Sequence, residues 1–371
     1  MQMISSRAGQ TGKDRVGMAK KLKVGVIGLG AIGTVHTEAY LATGEAEVAG
    51  ICDIDQAKLN ARGERFGVKG LFTDYRELLK TDVEAVDVCV PNALHREMAV
   101  AVLQAGKHVL VEKPMAINAT EGAKIVAAAG KSKKVAQLGM CRRQMPEAQL
   151  LRRYVESGLL GEIYHMRAIM IRHRGIPGMG GWFTTKSLSG GGPMIDLGVH
   201  WFDMCMWLSG LWNPTSVSAK TYSKFGAPMD KYKYVSMWSG PPKLDGVFDT
   251  EDYATGLVRF GDKATLNFEI AWAANSRSES FVEIMGDKGG ARIMDGSPFK
   301  LLTEEHGNLV ELMPQFDPKA NAFEIQARKF LAACRGECAP VATMQQGLIV
   351  NRLIDSIYKS SETGKEAAIK Q

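Results

Sequence analysis

This sequence has no run of about 18 apolar residues, so no membrane-spanning helix is expected. It is also poor in cysteine: six in 371 residues, and no CxxC pair. Cys334 and Cys338 lie four apart, but no histidine or second cysteine pair accompanies them. That spacing argues against zinc and predicts no bound metal. It fits reduced thiols and a cytoplasmic setting. Net positive charge is scarce outside one end. The formal net charge is +6, and residues 1–23 hold Arg7, Lys13, Arg15, Lys20, Lys21 and Lys23 against Asp14 alone. The remaining body is therefore close to neutral, and no basic stretch interleaved with aromatics points to nucleic acid. Residues 1–21 read as a disordered basic tail, with Met18 as an alternative start. The tail has neither the apolar stretch of a signal peptide nor a twin arginine.

What is present begins with Gly28-Leu29-Gly30-Ala31-Ile32-Gly33, between an apolar run (Val24–Ile27) and a helical pattern. Asp53 follows Gly33 by 20 residues, at the end of a second apolar run. A GxGxxG in that strand–turn–helix setting reads as a dinucleotide fingerprint. The glycines allow a tight turn and close approach of backbone to pyrophosphate, and the helix N-terminus offers free N–H groups. A carboxylate at position 53 can accept both ribose hydroxyls of NAD and would repel the 2′-phosphate of NADP, so NAD is the expected cofactor.

From 23 to 140, strand-like runs (Lys23–Ile27, Glu47–Cys52, Ala85–Val90, His108–Val111, Val135–Leu138) alternate with helical stretches. This alternation predicts a doubly wound parallel sheet. Thr73 and Asp74 are natural caps for the helix after them. Beyond 143 the pattern changes. A helix is expected over Pro146–Ser157, a long strand over Gly161–Arg172, a loop with seven glycines over 173–193, and a helix over Met194–Leu208. Several strand-length segments follow without long helices between them, which predicts an open, mainly antiparallel sheet. Two helices, Asn321–Cys334 and Met344–Ser361, close the chain. The expected organisation is an NAD-binding Rossmann domain at 22–143 and a substrate-binding and oligomerisation α/β domain at 144–371. An open sheet face suggests a homo-oligomer, a dimer or tetramer.

Four landmarks extend the fingerprint: Val90-Pro91-Asn92-Ala93-Leu94-His95, Val111-Glu112-Lys113-Pro114, Arg142-Arg143, and Gly190-Gly191-Gly192-Pro193-Met194-Ile195-Asp196-Leu197-Gly198-Val199-His200. Lys113 ends an apolar run, and in a parallel sheet ligands collect at that end. An ammonium there can stabilise a hydroxyl losing its proton. Asp196 and His200 share a helix face at i, i+4, where a carboxylate can orient an imidazole and raise its basicity. His200 then reads as the base for a hydroxyl proton. Arg142 or Arg143 can meet substrate or form a domain-interface salt bridge. Arg172-His173-Arg174 with Trp182-Phe183 reads as a substrate-facing segment, with Trp272 a weaker candidate of the same kind. His36 reads as structural.

Together these landmarks resemble the Gfo/Idh/MocA oxidoreductases, the family of glucose–fructose oxidoreductase and inositol dehydrogenase, over roughly residues 22–365. The resemblance implies an NAD-dependent dehydrogenase acting on a sugar, glycoside or cyclitol. It implies catalytic roles for Lys113, Asp196 and His200, and often a cis Lys113–Pro114 bond. It implies a cofactor site from Gly28, Gly30, Ala31, Ile32, Gly33, Asp53, Pro91, Asn92, His95, Glu112 and Lys113, with Asn92 and His95 against the nicotinamide ribose. Substrate contacts are expected from Lys113, Arg142, Arg174, Trp182, Asp196 and His200. Arg174–Pro177, Gly190–His200 and Glu251-Asp252 with Ala271-Trp272-Ala273 resemble the members that oxidise carbon 3 of a pyranoside. Two alternatives stay open here: a glycoside-cleaving enzyme that uses NAD for transient oxidation and elimination, and a non-enzymatic nucleotide sensor.

Overall fold

The computed structural model describes residues 21–226, 229–234, 237–294, 299–315 and 320–370. The basic tail expected at 1–21 falls, but for its last residue, outside the described residues. The first sheet contains β1 (Leu22–Ile27), β2 (Ala46–Cys52), β3 (Leu71–Phe72), β4 (Ala85–Val88), β5 (His108–Glu112) and β6 (Ala136–Gly139). Their order is β3-β2-β1-β4-β5-β6, and every pairing is parallel. This is the doubly wound arrangement that the alternation predicted, with its switch point between β1 and β4. Val24, Val26, Val86, Val88, Val109 and Val111 are fully buried, as strands covered on both faces must be.

Helices α1 (Ala31–Thr43), α2 (Gln56–Phe66), α3 (Tyr75–Leu79), α4 (His95–Gln104) and α5 (Ala119–Lys131) alternate with the strands. Asp74 caps α3, accepting from the Arg76 N–H. Strand β3 has two residues, too short for any periodicity to announce it.

The second domain contains α6 (Pro146–Glu156), β7 (Ile163–Ile171), a one-turn α7 (Lys186–Ser189), α8 (Val199–Ser209), β8 (Ser216–Tyr222), β9 (Tyr253–Phe260), β10 (Ala264–Ala271), β11 (Glu279–Gly286), β12 (Gly289–Met294), β13 (Lys300–Glu305) and β14 (Asn308–Leu312). With β15 (Ala367–Ala368) they form a nine-stranded sheet, β14-β13-β12-β11-β7-β10-β9-β8-β15. All its pairings are antiparallel except β7 with β10. The apolar alternation of β10 (Leu266, Phe268, Ile270) points into a core shared with α8, where Phe202 meets Phe268 edge-on at 5.2 Å. The opposite face shows Thr265, Asn267 and Glu269 on that strand. Its apolar part comes instead from a cluster of Ile169, Ile171, Tyr253 and Phe281.

The last helices tie the domains together. Helix α9 (Ala322–Cys334) returns to the first domain, burying Phe330 and Leu331 among Val24, Tyr40 and Leu59. Helix α10 (Met344–Thr363) serves both cores: Met344 and Leu348 pack in the first, Leu353 and Ile357 in the second. No helix among the described residues is long and apolar enough to cross a membrane.

Candidate active site

The turn between β1 and α1 has the shape a pyrophosphate needs. Gly28 sits at φ +90°, and a Cβ there would lie 2.4 Å from the Cys89 carbonyl oxygen. A Cβ on Gly33 would lie 1.8 Å from the Gly28 oxygen, so α1 can approach β1 this closely only with glycine. Gly30, by contrast, opens on free space and caps α1 without a side-chain hydrogen bond. Exposed Gly30 and Ala31 and half-buried Ile32 leave the first N–H groups of the helix to a ligand. Asp53 directly follows β2 beside this turn. It accepts the Leu29 N–H at 2.8 Å and the Asp55 N–H at 3.0 Å, with Lys58 Nζ 3.4 Å away. An open glycine cradle, an uncapped helix start and a fixed carboxylate together fit a dinucleotide.

The neighbouring strand ends differ from expectation. Pro91 is exposed on the turn after β4, but Asn92 and His95 are buried. Asn92 Nδ2 donates to the Ser189 carbonyl at 2.7 Å, tying the turn to the second domain. His95 faces two main-chain carbonyls, Pro114 through Nδ1 at 2.6 Å and Val90 through Nε2 at 2.8 Å. Burial lowers the basicity of His95, and a neutral imidazole has one N–H, so it donates to one of these two carbonyls. Glu112 is also buried, accepting the Lys113 N–H at 3.1 Å. The Lys113–Pro114 bond is cis.

Lys113 reaches across the crevice. Its Nζ donates to the Asp196 carbonyl at 2.8 Å and to Asp196 Oδ1 at 3.0 Å. The other carboxylate oxygen, Oδ2, accepts the indole N–H of Trp272 at 2.9 Å. Asp196 lies in a π-helical turn, Met194–Gly198, that runs directly into α8 and His200. Gly190 holds φ +88° with the Ile117 carbonyl oxygen 2.5 Å from where a Cβ would be, which lets this segment start against the first domain. Buried Glu251 then anchors the helix start, accepting the Gly192 N–H at 3.0 Å, the Met194 N–H at 3.1 Å and the Tyr358 hydroxyl at 3.0 Å.

Burial works against ionised Asp196, but the Lys113 ammonium and the Trp272 hydrogen bond outweigh it and hold the carboxyl below its usual range. His200 moves the opposite way from expectation. Burial first, then the Lys113 and Arg142 cations, hold its imidazole well below its ordinary value. Asp196 spends its oxygens on Lys113 and Trp272, so it does not raise the basicity of His200. The result is a neutral, buried imidazole whose Nδ1 has no protein partner among the described residues.

Two family models match the chain: an oxidoreductase family with NAD-binding Rossmann fold over residues 22–140, and a GFO/IDH/MocA C-terminal domain over residues 148–292. The D-glucoside 3-dehydrogenase of Escherichia coli (strain K12) is 31% identical over 347 residues, covering 92% of this chain and 96% of the relative. The chain belongs to the Gfo/Idh/MocA oxidoreductase family. Levoglucosan dehydrogenase of Pseudarthrobacter phenanthrenivorans is 28% identical over 288 residues, 73% of each chain. A solved structure of levoglucosan dehydrogenase in complex with NADH shares the fold, with a TM-score of 0.85, 22% identity, and coverage of 95% of this chain and 100% of that one. The chain is thus an oxidoreductase with an NAD-binding Rossmann domain.

In this Gfo/Idh/MocA member the other sequence candidates divide. Arg143 is a buried structural cation, bound to Asp203 through Nε at 2.8 Å and Nη2 at 2.6 Å. Arg142 lies over the Trp201 ring at 4.5 Å, close enough to act on His200. Arg172 acts likewise on Asp196. Arg174 binds the Ala274 carbonyl at 3.0 Å and Asn275 Oδ1 at 2.6 Å and covers the Phe225 ring, so much of it is spent on holding loops together. Trp182 is half-buried against Phe183, with ring centroids 3.8 Å apart. Trp272 is the residue whose importance the sequence understated. An indole at a fully buried strand end requires an acceptor, and that requirement was the available signal. Among the described residues, one group brings three possible ligand atoms together, His36, Asp87 and Cys89, with the Cys89 thiol donating to Asp87.

Proposed function

We propose that the protein oxidises a secondary ring hydroxyl of a sugar, glycoside or cyclitol to a ketone, with NAD as hydride acceptor. The observation that carries this reading is the Lys113–Asp196–His200 cluster, where a fixed ammonium and a neutral imidazole meet at the carboxyl end of a Rossmann strand. Gly28, Gly30, Ala31, Ile32, Gly33 and Asp53 hold the dinucleotide, and Pro91 and Glu112 shape its nicotinamide end. Bound NAD supplies the hydride chemistry. Lys113 donates to the reacting hydroxyl oxygen and favours its ionised form. His200, uncharged at neutral pH, takes the hydroxyl proton. Asp196 fixes Lys113, and Trp272 fixes Asp196. Arg142, Arg174 and Trp182 are assigned to contact the sugar ring in this reading.

The name of the 31% identical relative, D-glucoside 3-dehydrogenase, supports carbon 3 of a pyranoside as the position oxidised. Six free cysteines suit a reducing cytoplasm. A homo-oligomer assembled through the outer face of the nine-stranded sheet belongs to the same reading.

The test is a screen of monosaccharides, inositols and glycosides with NAD, with NMR of the product. A 3-keto pyranoside is the expected product. A lactone from carbon 1 overturns the position, and activity confined to non-sugars overturns the class. Release of aglycone without net NADH marks the elimination route instead.

A further inference from the structure

Beneath the dinucleotide turn lies a buried charge cluster that the proposed reaction does not use. His36 projects from α1, with 3% of its side chain exposed. Its Nδ1 is 2.8 Å from Asp87 Oδ2 on β4. Its Nε2 is 3.1 Å from Glu112 Oε1 at the end of β5, an ion-pair distance off the line of a hydrogen bond. Asp87 and Glu112 are themselves 0% and 7% exposed. The second oxygen of Asp87 accepts the Cys89 thiol at 3.3 Å, and the second oxygen of Glu112 accepts the Lys113 N–H at 3.1 Å. Tyr40, one turn along α1, and Cys141, after β6, are the other titratable groups that act here. The Phe323 ring of α9 closes the remaining side at 5.3 Å.

A neutral imidazole has one N–H and one lone pair, so between two carboxylates it must turn the lone pair on one of them. The doubly protonated ring suits both. Buried carboxylates without a cation are strongly disfavoured. We propose that His36 is a positioning residue, an imidazolium held between Asp87 and Glu112 that fixes Glu112 against the Lys113 main chain. It thereby ties the phosphate-binding helix to the strand end that carries the lysine. Burial alone would discharge the ring, but Asp87 outweighs it and holds the imidazole well above its ordinary value. The effect on turnover rests on the role proposed for Lys113; the charge state of His36 does not.

The direct test is ¹⁵N-histidine NMR of the full-length protein, with and without NAD. The chain has seven histidines, and the His36 signals are assigned by their loss in His36→Asn. Both ring nitrogens should be protonated at pH 7, where a free imidazole is mostly neutral. A neutral tautomer at pH 7 overturns the proposal. His36→Asn keeps a donor for Asp87 but not for Glu112, whereas His36→Gln can reach Glu112. We expect kcat to fall more than about tenfold in His36→Asn, a positioning effect of the scale a small misplacement causes. NAD affinity should change less than about threefold, and His36→Gln should recover part of the loss. Equal losses in the two variants, or a loss of thermal stability with kcat intact, overturn the proposal. In a Lys113→Ala background, His36→Asn should add little further loss. Normal turnover in Lys113→Ala alone sinks the functional reading while the NMR result still decides the charge state.

Discussion

Trp272 gives its indole N–H to Asp196 at 2.9 Å, on the carboxylate oxygen that Lys113 leaves free. The acid is thus held from two sides, by a cation from the first domain and a neutral donor from the second. A hydrogen bond to a charged group is worth about 1.5–3 kcal/mol. Trp272→Phe removes that donor and keeps most of the ring volume. Turnover should fall roughly tenfold or more, with Lys113 less well aligned. Unchanged kcat in a folded variant would show that the indole only packs.

Lys113→Ala and His200→Ala should each lose at least about a hundredfold in turnover, the usual scale of an acid–base group. NAD affinity should change far less, because neither side chain is assigned to the pyrophosphate or adenosine. Steady-state kinetics with calorimetry of NAD binding separates the two quantities. Near-normal rates in either variant would refute its assignment.

The depressed basicity of His200 has a direct consequence for pH. The ring stays neutral where a free imidazole is half charged, so the acid limb of kcat/KM should lie below about pH 6.5. Stability follows the same sign. As pH falls, the unfolded chain takes up this proton first, so the native state loses stability from about pH 6.5 down toward the folded value. His200→Asn should flatten that part of the melting-temperature profile. An acid limb above pH 6.5 would rule out His200 as the base.

NAD should be preferred over NADP, because Asp53 directly follows β2 beside the glycine turn. Asp53→Ser should narrow the preference. Lys58, 3.4 Å from the carboxylate, would then offer a cation to the 2′-phosphate. Calorimetry with both dinucleotides checks this; tighter NADP binding by the unaltered protein would contradict it.

The fingerprint and the strand–helix alternation were legible because they are local. Gly28, Gly33 and Asp53 lie close in sequence to the elements they serve. The return of α9 to the first domain was not legible, since Phe330 looks like any apolar residue at helical spacing. The i, i+4 rule correctly joined Asp196 and His200 to one segment but assigned them to each other. The true partners, Lys113 and Trp272, lie 83 and 76 residues away. The sign of the His200 shift likewise depends on burial and distant cations. The motif at His95 marks the turn, but only the fold shows the Pro114 and Val90 carbonyls beside its ring.

The path of α9 matters during biosynthesis. Residues 322–334 cover Val24, Tyr40 and Leu59, laid down at least 263 residues earlier. A ribosome therefore exposes the nucleotide-binding half with part of its apolar surface bare until residues 322–334 have emerged. Nascent chains stalled at residue 320 should bind a hydrophobic dye and a holdase chaperone, and chains extended through α10 should release both. The cofactor motif is therefore translated well before α9, the helix that completes the core beneath it.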